Sequence, residues 1–368
     1  MALIKAGIFL KDRIFAEALA EGLSRQAGPI RFYLLSAFEE GDFCDLILAE
    51  PDWDRDEGVF GGSDRESSYC GIVELVRQPG EENLFGKPPY RIYRYKESPN
   101  LLNDLLFVYF EMTGRSLENH GDAKCRTTVF LSECGGCGAT SIALASARML
   151  YQIYGSRVLY LNLCPLNDTE DDKAGRESGR FVKLLYYLQE NRDFPVSFFI
   201  TEEEELDCVN TGIVNGYFNE MKPLFMQRFL EKIGRLGKYD FLFLDIGNHL
   251  SRENKNLISG AECTVLVSDG ERRCSGKYRK AISREIAERV DHGRIVHIRN
   301  FADDSWEEDY TDETELAEGE ELFCISRQRD GNLQLAQNFG NEVSEVAKAI
   351  MEGTDHGGGK QSFSAGTD

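Results

Sequence analysis

The sequence has no long apolar run. Its apolar stretches are short, such as residues 241–244, whereas a membrane-spanning helix needs about 20 predominantly apolar residues. Residues 1–13 contain too short an apolar core for a secretory signal, because Asp12 follows that core at once. From these absences we expect a cytoplasmic protein without a membrane-spanning segment.

Basic residues are scarce relative to acidic ones. The chain has 42 Lys and Arg against 63 Asp and Glu, a formal net charge of −21 at pH 7. This charge disfavours non-specific nucleic-acid binding and docking on an anionic membrane, both of which need basic groups. Residues 303–321 hold eleven acids and no Lys or Arg. They form either a solvated acidic loop or a contact for a basic partner.

No disulfide framework is visible among the ten cysteines. They are scattered, and Cys44, Cys263 and Cys324 lie in strand-like apolar runs, which suits reduced thiols. Cys134 and Cys137 differ from the rest, because their C-x-x-C spacing falls in a glycine-rich turn.

The first part of the chain alternates strand and helix patterns. Strands are predicted at residues 6–10, 30–35, 46–49, 72–76 and 92–95, and helices at 14–23 and 101–112. Because such alternation makes βα crossovers, we predict an α/β domain with a parallel sheet over residues 1–113. The polar residues 114–125 form the predicted linker.

The second part alternates in the same way and predicts a second α/β domain over residues 126–352. Strands are predicted at residues 127–132, 158–162, 241–245, 264–268, 295–298 and 322–325, and helices at 140–154 and 342–351. Residues 353–368 are rich in Gly and Ser and are predicted to be a disordered tail.

A glycine-rich turn joins the first strand of the second domain to its first helix. It reads Ser132-Glu133-Cys134-Gly135-Gly136-Cys137-Gly138-Ala139-Thr140-Ser141 and lies where a phosphate-binding P-loop belongs. Glycines there let backbone N–H groups turn inward around phosphate oxygens, and the helix N-terminus adds partial positive charge. Thr140 would supply the hydroxyl that binds Mg²⁺.

This turn resembles the loop of the MinD/ParA family of deviant Walker ATPases, which reads roughly K-G-G-x-G-K-[ST]. The family's signature lysine falls on Cys134 and its phosphate-binding lysine on Ala139, so both lysines are missing. The matching positions are Gly135, Gly136, Gly138 and Thr140.

Other stretches extend the resemblance over roughly residues 126–352. Residues 239–245 look like the family's Walker B strand, which ends here in Asp245. Residues 159–165 resemble its strand with two aspartates before a proline, although Asn162 and Cys164 replace the acids. Asn300 matches the family's Asn near the nucleotide base, and residues 336–340 resemble its C-terminal pattern. The resemblance implies a P-loop NTPase fold with a mostly parallel sheet.

The missing residues decide the expected activity. Each lysine–phosphate contact is a charge-assisted hydrogen bond worth about 1.5–3 kcal/mol, and phosphoryl transfer relies on cations facing the developing charge. We therefore expect very slow ATP hydrolysis or none, and assign no catalytic residue. ATP and Mg²⁺ could still bind weakly, Mg²⁺ through Thr140 and Asp245. The predicted nucleotide-binding residues are Gly135, Gly136, Cys137, Gly138, Ala139, Thr140, Ser141, Asp245 and Asn300.

The cysteines of the turn allow another interpretation. Cys164 would lie opposite Cys134 and Cys137 if its strand aligns as above, and three thiols near a helix N-terminus could be redox-active or bind a metal. The alternative is that small neutral residues have filled a degenerate pocket. A slow but active ATPase also stays open.

The first domain resembles a response-regulator receiver, a flavodoxin-like fold, in the order and spacing of its strands. A receiver has acids after its first strand, a phosphoacceptor Asp after its third and a Lys after its fifth. The corresponding residues here are Asp12, Glu50 and Lys96. Glu50 is not a usual phosphoacceptor, so we expect no phosphorylation. Glu50 and Lys96 either form a fixed ion pair or are two surface residues at strand ends.

A receiver-like domain fused to a MinD/ParA-like domain resembles the TadZ/CpaE group of pilus assembly proteins. That resemblance implies a homodimeric adaptor that recruits components of a Flp-type (Tad) pilus or secretion system, often at a cell pole. A regulator that binds a chromosome-positioning partner is the alternative. MinD holds membranes through an amphipathic C-terminal helix, but residues 342–351 are needed here for the core, so we expect no direct membrane anchor.

Overall fold

The structure is a computed structural model. It describes residues 3–26, 28–52, 71–117, 121, 124–164, 174–192, 194–202, 205–209, 223–269, 276–290, 293–302, 320–326 and 333–352. Most of the acidic run, at residues 303–319, and the predicted tail at residues 353–368 lie outside the described residues. The chain divides into two compact units, Met1–Asn119 with Gly179–Glu202 (unit 1) and His120–Ser178 with Glu203–Asp368 (unit 2).

The described residues form twelve strands and eight α-helices. The strands are β1 Ile4–Phe9, β2 Ile30–Leu34, β3 Leu46–Ala49, β4 Ile72–Val76, β5 Tyr90–Tyr93, β6 Arg126–Ser132, β7 Val158–Asn162, β8 Asp207–Val209, β9 Phe241–Asp245, β10 Cys263–Asp269, β11 Arg294–Ala302 and β12 Glu321–Ser326. The helices are α1 Arg13–Ser24, α2 Ser98–Thr113, α3 Ala139–Tyr154, α4 Ala174–Gln189, α5 Pro223–Leu236, α6 Arg252–Gly260, α7 Gly276–Ala287 and α8 Leu333–Glu352.

Unit 1 is built on a five-stranded parallel sheet with the order β2-β1-β3-β4-β5. All four residues of the central strand Leu46–Ala49 are buried, as expected for a parallel sheet that is covered on both faces. Asp12 caps α1 by accepting a hydrogen bond from the Phe15 backbone N–H. The predicted parallel α/β fold is confirmed for this unit.

Helix α2 is buried on nearly every side. Its sequence Leu-Leu-Asn-Asp-Leu-Leu-Phe-Val-Tyr-Phe over residues 101–110 has no broad polar face, so it needs cover beyond the sheet. The segment Gly179–Glu202 supplies that cover and belongs to unit 1. The ring of Phe198 stacks on Phe107 at a centroid distance of 3.6 Å. The prediction of an unbroken second domain over 126–352 is therefore wrong, because residues 179–202 pack with the first unit.

Ion pairs join the same segment to α2. Arg180 Nη2 lies 2.8 Å from Asp104 Oδ1, and Lys183 Nζ lies 2.9 Å from Glu111 Oε2. Tyr187 also donates a hydrogen bond to Glu111. Because Asp104 is fully buried, its charge has to be met by cations within the unit.

Unit 2 is built on a seven-stranded parallel sheet with the order β12-β11-β10-β6-β9-β7-β8. Its central strands β6, β9 and β10 are apolar and buried along most of their lengths. Parallel pairing puts the carboxyl ends of β6, β7, β9, β10 and β11 at one edge of the sheet. The mostly parallel sheet predicted for this domain is confirmed, and no helix in the described ranges is both long and apolar enough to cross a bilayer.

Candidate functional site

The glycine-rich turn begins where β6 ends, and its first residues are fixed by both neighbouring strands. The Ser132 backbone N–H donates to the Gly247 carbonyl at 2.8 Å, just beyond β9. The Glu133 N–H donates to the Val267 carbonyl of β10 at 3.0 Å. The chain then turns through Gly136 and Gly138, whose φ angles are +80° and +86°, and enters α3 at Ala139. Left-handed φ angles favour glycine, which explains both positions.

The predicted pair Thr140 and Asp245 meets beneath this turn. Thr140 Oγ1 donates a hydrogen bond to Asp245 Oδ2 at 2.6 Å. Asp245 is fully buried, whereas Thr140 is exposed. Because the Thr140 hydroxyl uses its hydrogen in this bond to the carboxylate, the lone pairs of the hydroxyl oxygen can face a cation on the exposed side. This is the donor set that holds Mg²⁺ in P-loop proteins.

Two further groups of the chain hold the Asp245 carboxylate in place. The Tyr160 hydroxyl donates to Oδ2 at 2.8 Å, and the Gly247 backbone N–H donates to Oδ1 at 3.0 Å. Burial, and secondarily the charge of Asp245, raise the pKa of Tyr160, so this phenol stays a donor at neutral pH. Tyr160 was not predicted from the sequence, although a tyrosine among the leucines of a strand beside the Asp245 strand is a signal that could have revealed it.

Asn300 supports the turn from β11. Its Nδ2 donates to the Cys137 carbonyl at 2.9 Å, and its Oδ1 accepts from the Phe301 N–H at 3.0 Å. A Cβ atom at Gly138 would overlap Asn300 Nδ2. Gly138 is therefore required twice, by its φ angle and by this close approach. The resemblance suggested a place near the nucleotide base for Asn300, and the structure gives it a bond to the loop backbone.

Small, mostly apolar side chains occupy the positions of the two missing lysines. Ala139 is 4% exposed and belongs to the core cluster, as does Cys137. Cys134 is half-buried and packs against the same cluster. Glu133, at the base of the turn, is a buried acid that was not predicted to matter. The loop and first helical turn, residues 132–141, contain no Lys or Arg.

Cys164 faces Asp245. Its thiol donates to Asp245 Oδ1 at 3.4 Å, and its backbone N–H donates to Asn162 Oδ1 at 2.9 Å. Burial and the charge of Asp245 raise the pKa of the Cys164 thiol. Among the residues that the structure describes, no group of three His, Cys, Asp or Glu side chains is placed to hold a metal ion. The three-cysteine metal site is therefore not formed.

The exposed part of the turn fits a nucleotide phosphate chain. Gly135, Gly136, Thr140 and Ser141 are all exposed at the N-terminus of the sixteen-residue helix α3. Helix N-termini and glycine turns favour phosphate through their backbone N–H groups. The residues present could thus hold phosphates by backbone donors and Mg²⁺ by Thr140, with Asp245 behind it.

Comparisons with known proteins give similarities of fold. No protein-family model matches the sequence, and no curated protein matches it at a significant level. A plasmid partition protein from Borrelia burgdorferi is similar at 16% identity and a TM-score of 0.46, over 62% of this chain and 100% of that one.

Two further solved structures are similar over nearly the same share of the chain. Cobyrinic acid a,c-diamide synthase from Mycobacterium smegmatis, with bound ADP and magnesium, is 16% identical with a TM-score of 0.47, over 66% of this chain and 100% of that one. A ParA family ATPase from Chlorobium tepidum is 16% identical with a TM-score of 0.42, over 61% and 98%. At this level of identity the likeness concerns the fold alone.

The site predicted for unit 1 lies at the carboxyl edge of its own sheet, where ion pairs surround Glu50. Glu50 follows β3 and is buried. It pairs with Arg77, which follows β4, at 3.1 Å and with Arg94, which follows β5, at 3.5 Å. The Arg94 guanidinium lies over the rings of both Phe15 and Tyr95, at 4.5 and 4.7 Å from their centroids. These contacts fix Arg94 against Glu50.

Lys96 pairs with acids other than Glu50, the partner suggested by the sequence. It pairs with Asp104 at 2.5 Å and also with Glu82, so the suggested pair between Glu50 and Lys96 does not describe this site. The reason is that Arg94, buried beside Glu50, takes the place predicted for the lysine. Asp12 serves as the cap of α1, and Lys11 pairs with Asp52 at 3.1 Å on the surface.

Proposed function

We propose that unit 2 binds Mg-ATP weakly and hydrolyses it very slowly or not at all, in the manner of a degenerate MinD/ParA-like protein. The observation that carries this proposal is the 2.6 Å hydrogen bond from Thr140 to Asp245 beneath an exposed turn of backbone donors. Binding needs those donors and one cation, whereas efficient γ-phosphate transfer also needs positive side chains around the developing charge.

Charge at the turn supports the weak-hydrolysis part of the proposal. Ala139 and Cys134 replace the two lysines, and Glu133 adds a buried acid at the base of the loop. Each absent lysine removes a charge-assisted hydrogen bond of about 1.5–3 kcal/mol. A bound nucleotide would therefore be held mainly by backbone groups and by its own Mg²⁺.

We further propose that the protein is a cytoplasmic, homodimeric adaptor of the TadZ/CpaE kind, which helps to place a Flp-type pilus or secretion system. Support comes from the pairing of a receiver-like unit, whose acidic site is closed by arginines, with a nucleotide-binding unit. In this role unit 1 does not receive a phosphoryl group, and nucleotide occupancy of unit 2 controls dimerisation and recruitment of the machinery.

The biochemical part is tested by titrating the full chain with Mg-ATP while its mass is followed by sedimentation and phosphate release is measured in the same samples. We expect binding, a shift towards dimer and no phosphate release above background. Thr140→Ala should weaken the Mg²⁺-dependent binding. Ser259→Ala, which removes an exposed hydroxyl from α6, is the control. Rapid turnover that Thr140→Ala abolishes would refute the proposal.

The cellular part has a separate test. A fluorescent fusion should form foci with the pilus or secretion machinery in its native host, and the foci should disperse when the machinery is deleted. Loss of the protein should abolish surface pili. Normal pili in its absence would reject the adaptor role and leave the nucleotide result intact.

A further inference from the structure

Two thiols face each other inside the nucleotide turn. Cys134 Sγ and Cys137 Sγ lie 3.1 Å apart, in hydrogen-bond contact. Gly135 and Gly136 separate them, and Gly136 adopts a left-handed φ of +80° in the turn between the two cysteines. A disulfide bond is about 2.05 Å long, so the two sulfurs need to approach by only about 1 Å to bond.

The two thiols differ in their access to solvent. Cys137 is 1% exposed and packs in the core cluster beneath the turn. Cys134 is half-buried and is followed by the exposed Gly135 and Gly136. A reagent in solution therefore meets Cys134 first, and Cys137 lies directly behind it. An outer attacking thiol with an inner resolving thiol is the arrangement that C-x-x-C redox pairs use.

Other cysteines of the unit are placed differently. Cys164 hydrogen-bonds to the Asp245 carboxylate. Burial raises the pKa of both Cys125 and Cys263 to about 12, so these two remain protonated and unreactive at neutral pH. The exposed Cys324 lies on the edge strand β12. Among the described cysteines, Cys134 and Cys137 of the turn are in mutual contact through their sulfurs, next to the exposed Gly135 and Gly136.

We infer that Cys134 and Cys137 form a redox site that small-molecule disulfides, of the glutathione disulfide class, oxidise to an intramolecular disulfide. The Cys134 thiolate attacks one sulfur of the oxidant, whose S–S bond breaks and releases one thiol. The Cys137 thiolate then attacks the Cys134 sulfur and releases the second thiol. The cysteines lose two electrons and two protons, and both appear in the two released thiol molecules.

Oxidation would alter the nucleotide cradle. The new bond ties the two ends of the turn that carries Gly135 and Gly136, and the Cys137 carbonyl is the acceptor for Asn300. This consequence rests on the proposed function. We expect the disulfide to weaken Mg-ATP binding by about tenfold, the change in affinity that corresponds to one lost hydrogen bond.

The test equilibrates the full chain, in a Cys324→Ser background, with glutathione buffers of increasing oxidised fraction, followed by acid quenching, alkylation and tryptic mapping. Both cysteines fall in the single tryptic peptide 127–148, which contains no other cysteine. We expect this peptide to lose the mass of two hydrogen atoms and to escape alkylation as the oxidised fraction rises. A peptide that stays fully alkylated in the most oxidising buffer would overturn the inference.

Single variants test the order of attack. Cys137→Ser should trap a mixed disulfide with glutathione at Cys134, because the resolving thiol is gone. Cys134→Ser should leave the buried Cys137 unmodified, and glutathione on Cys137 in that variant would contradict the proposed geometry. Disulfide formation is read without nucleotide. A redox pair that forms in a chain that never binds Mg-ATP would therefore reject the proposed function and retain this site.

Discussion

In both units the candidate site lies at the carboxyl edge of a parallel sheet, yet the two edges depart in opposite ways from the sequence patterns that they resemble. In unit 1 two buried acids are paired with cations: Glu50 with Arg77 and Arg94, and Asp104 with Lys96 and Arg180. In unit 2 the turn has small side chains, Cys134 and Ala139, at the positions where the MinD/ParA loop that it resembles has lysines.

The two edges consequently keep different capacities for ligands. A site whose charges are paired inside the fold resists a new ligand, because binding has to break those pairs. A turn with exposed backbone donors keeps the capacity to bind an anion even without lysines. We therefore expect unit 1 to act as a fixed module and unit 2 to respond to ligands.

The largest effect should come from opening the ion pairs of unit 1. Asp104→Ala leaves Lys96 and Arg180, which are 17% and 20% exposed at the side chain, without this buried partner. We expect a loss of about 5 kcal/mol in the free energy of unfolding of this unit, the upper end for a broken buried pair. Urea unfolding would measure it. Asp52→Ala, which opens an exposed pair with Lys11, should cost about 0–1 kcal/mol.

Removing the cover of α2 should have the next largest effect. Phe198→Ala deletes a fully buried ring that stacks on Phe107, and we expect a cost of about 3–4 kcal/mol. Hydrogen exchange should accelerate in Ser98–Thr113 while Phe241–Asp245 in unit 2 keeps its protection. Tyr186→Ala, at a residue that is 44% exposed, is the matched control. Equal loss of protection in both units would contradict the assignment of residues 179–202 to unit 1.

That assignment also shows how far sequence patterns reach. Short apolar runs bounded by polar residues predict the limits of four strands to the residue. These strands are Leu46–Ala49, Ile72–Val76, Val158–Asn162 and Phe241–Asp245. Helix α5 was missed, although Met226, Phe229 and Ile233 follow helical spacing and are buried. The covering role of Phe198 was out of reach, because its partner Phe107 is distant in sequence and no local pattern links them.

In the candidate sites, too, some contacts follow from the sequence pattern and others depend on the finished fold. The meeting of Thr140 with Asp245 follows from the turn and from the acid that ends the adjacent strand, so sequence sufficed. The partners of Glu50 did not follow, because they depend on which strand ends lie beside β3 in the finished sheet. Asn300 was singled out, but its bond to the Cys137 carbonyl depends on how β11 approaches the loop.

A lysine introduced into the turn would give the unit 2 site a positive side chain, as the unit 1 site already has. Ala139→Lys places an ammonium group where the MinD/ParA loop that the turn resembles has its phosphate-binding lysine. On the proposed function, we expect Mg-ATP to bind about 10- to 100-fold more tightly, the equivalent of about 1.5–3 kcal/mol. Ala139→Gln has a long neutral side chain and controls for the loss of the buried methyl group. Titration calorimetry would measure both variants. Equal affinities would show that charge is not what the turn lacks.

The smallest effect concerns the shape of the turn. Gly138→Ala puts a side chain on a left-handed residue and against Asn300 Nδ2, which should cost about 1–2 kcal/mol of stability and weaken nucleotide binding with it. Gly135→Ala, where a Cβ atom meets nothing within 4 Å, is the matched control. In the double variant Gly138→Ala with Asn300→Ala the overlap is gone but the left-handed φ remains. Thermal unfolding of the three variants separates the overlap with Asn300 from the strain of the left-handed φ. If the double variant is as stable as Gly135→Ala, the contact with Asn300, and not the backbone angle, requires the glycine.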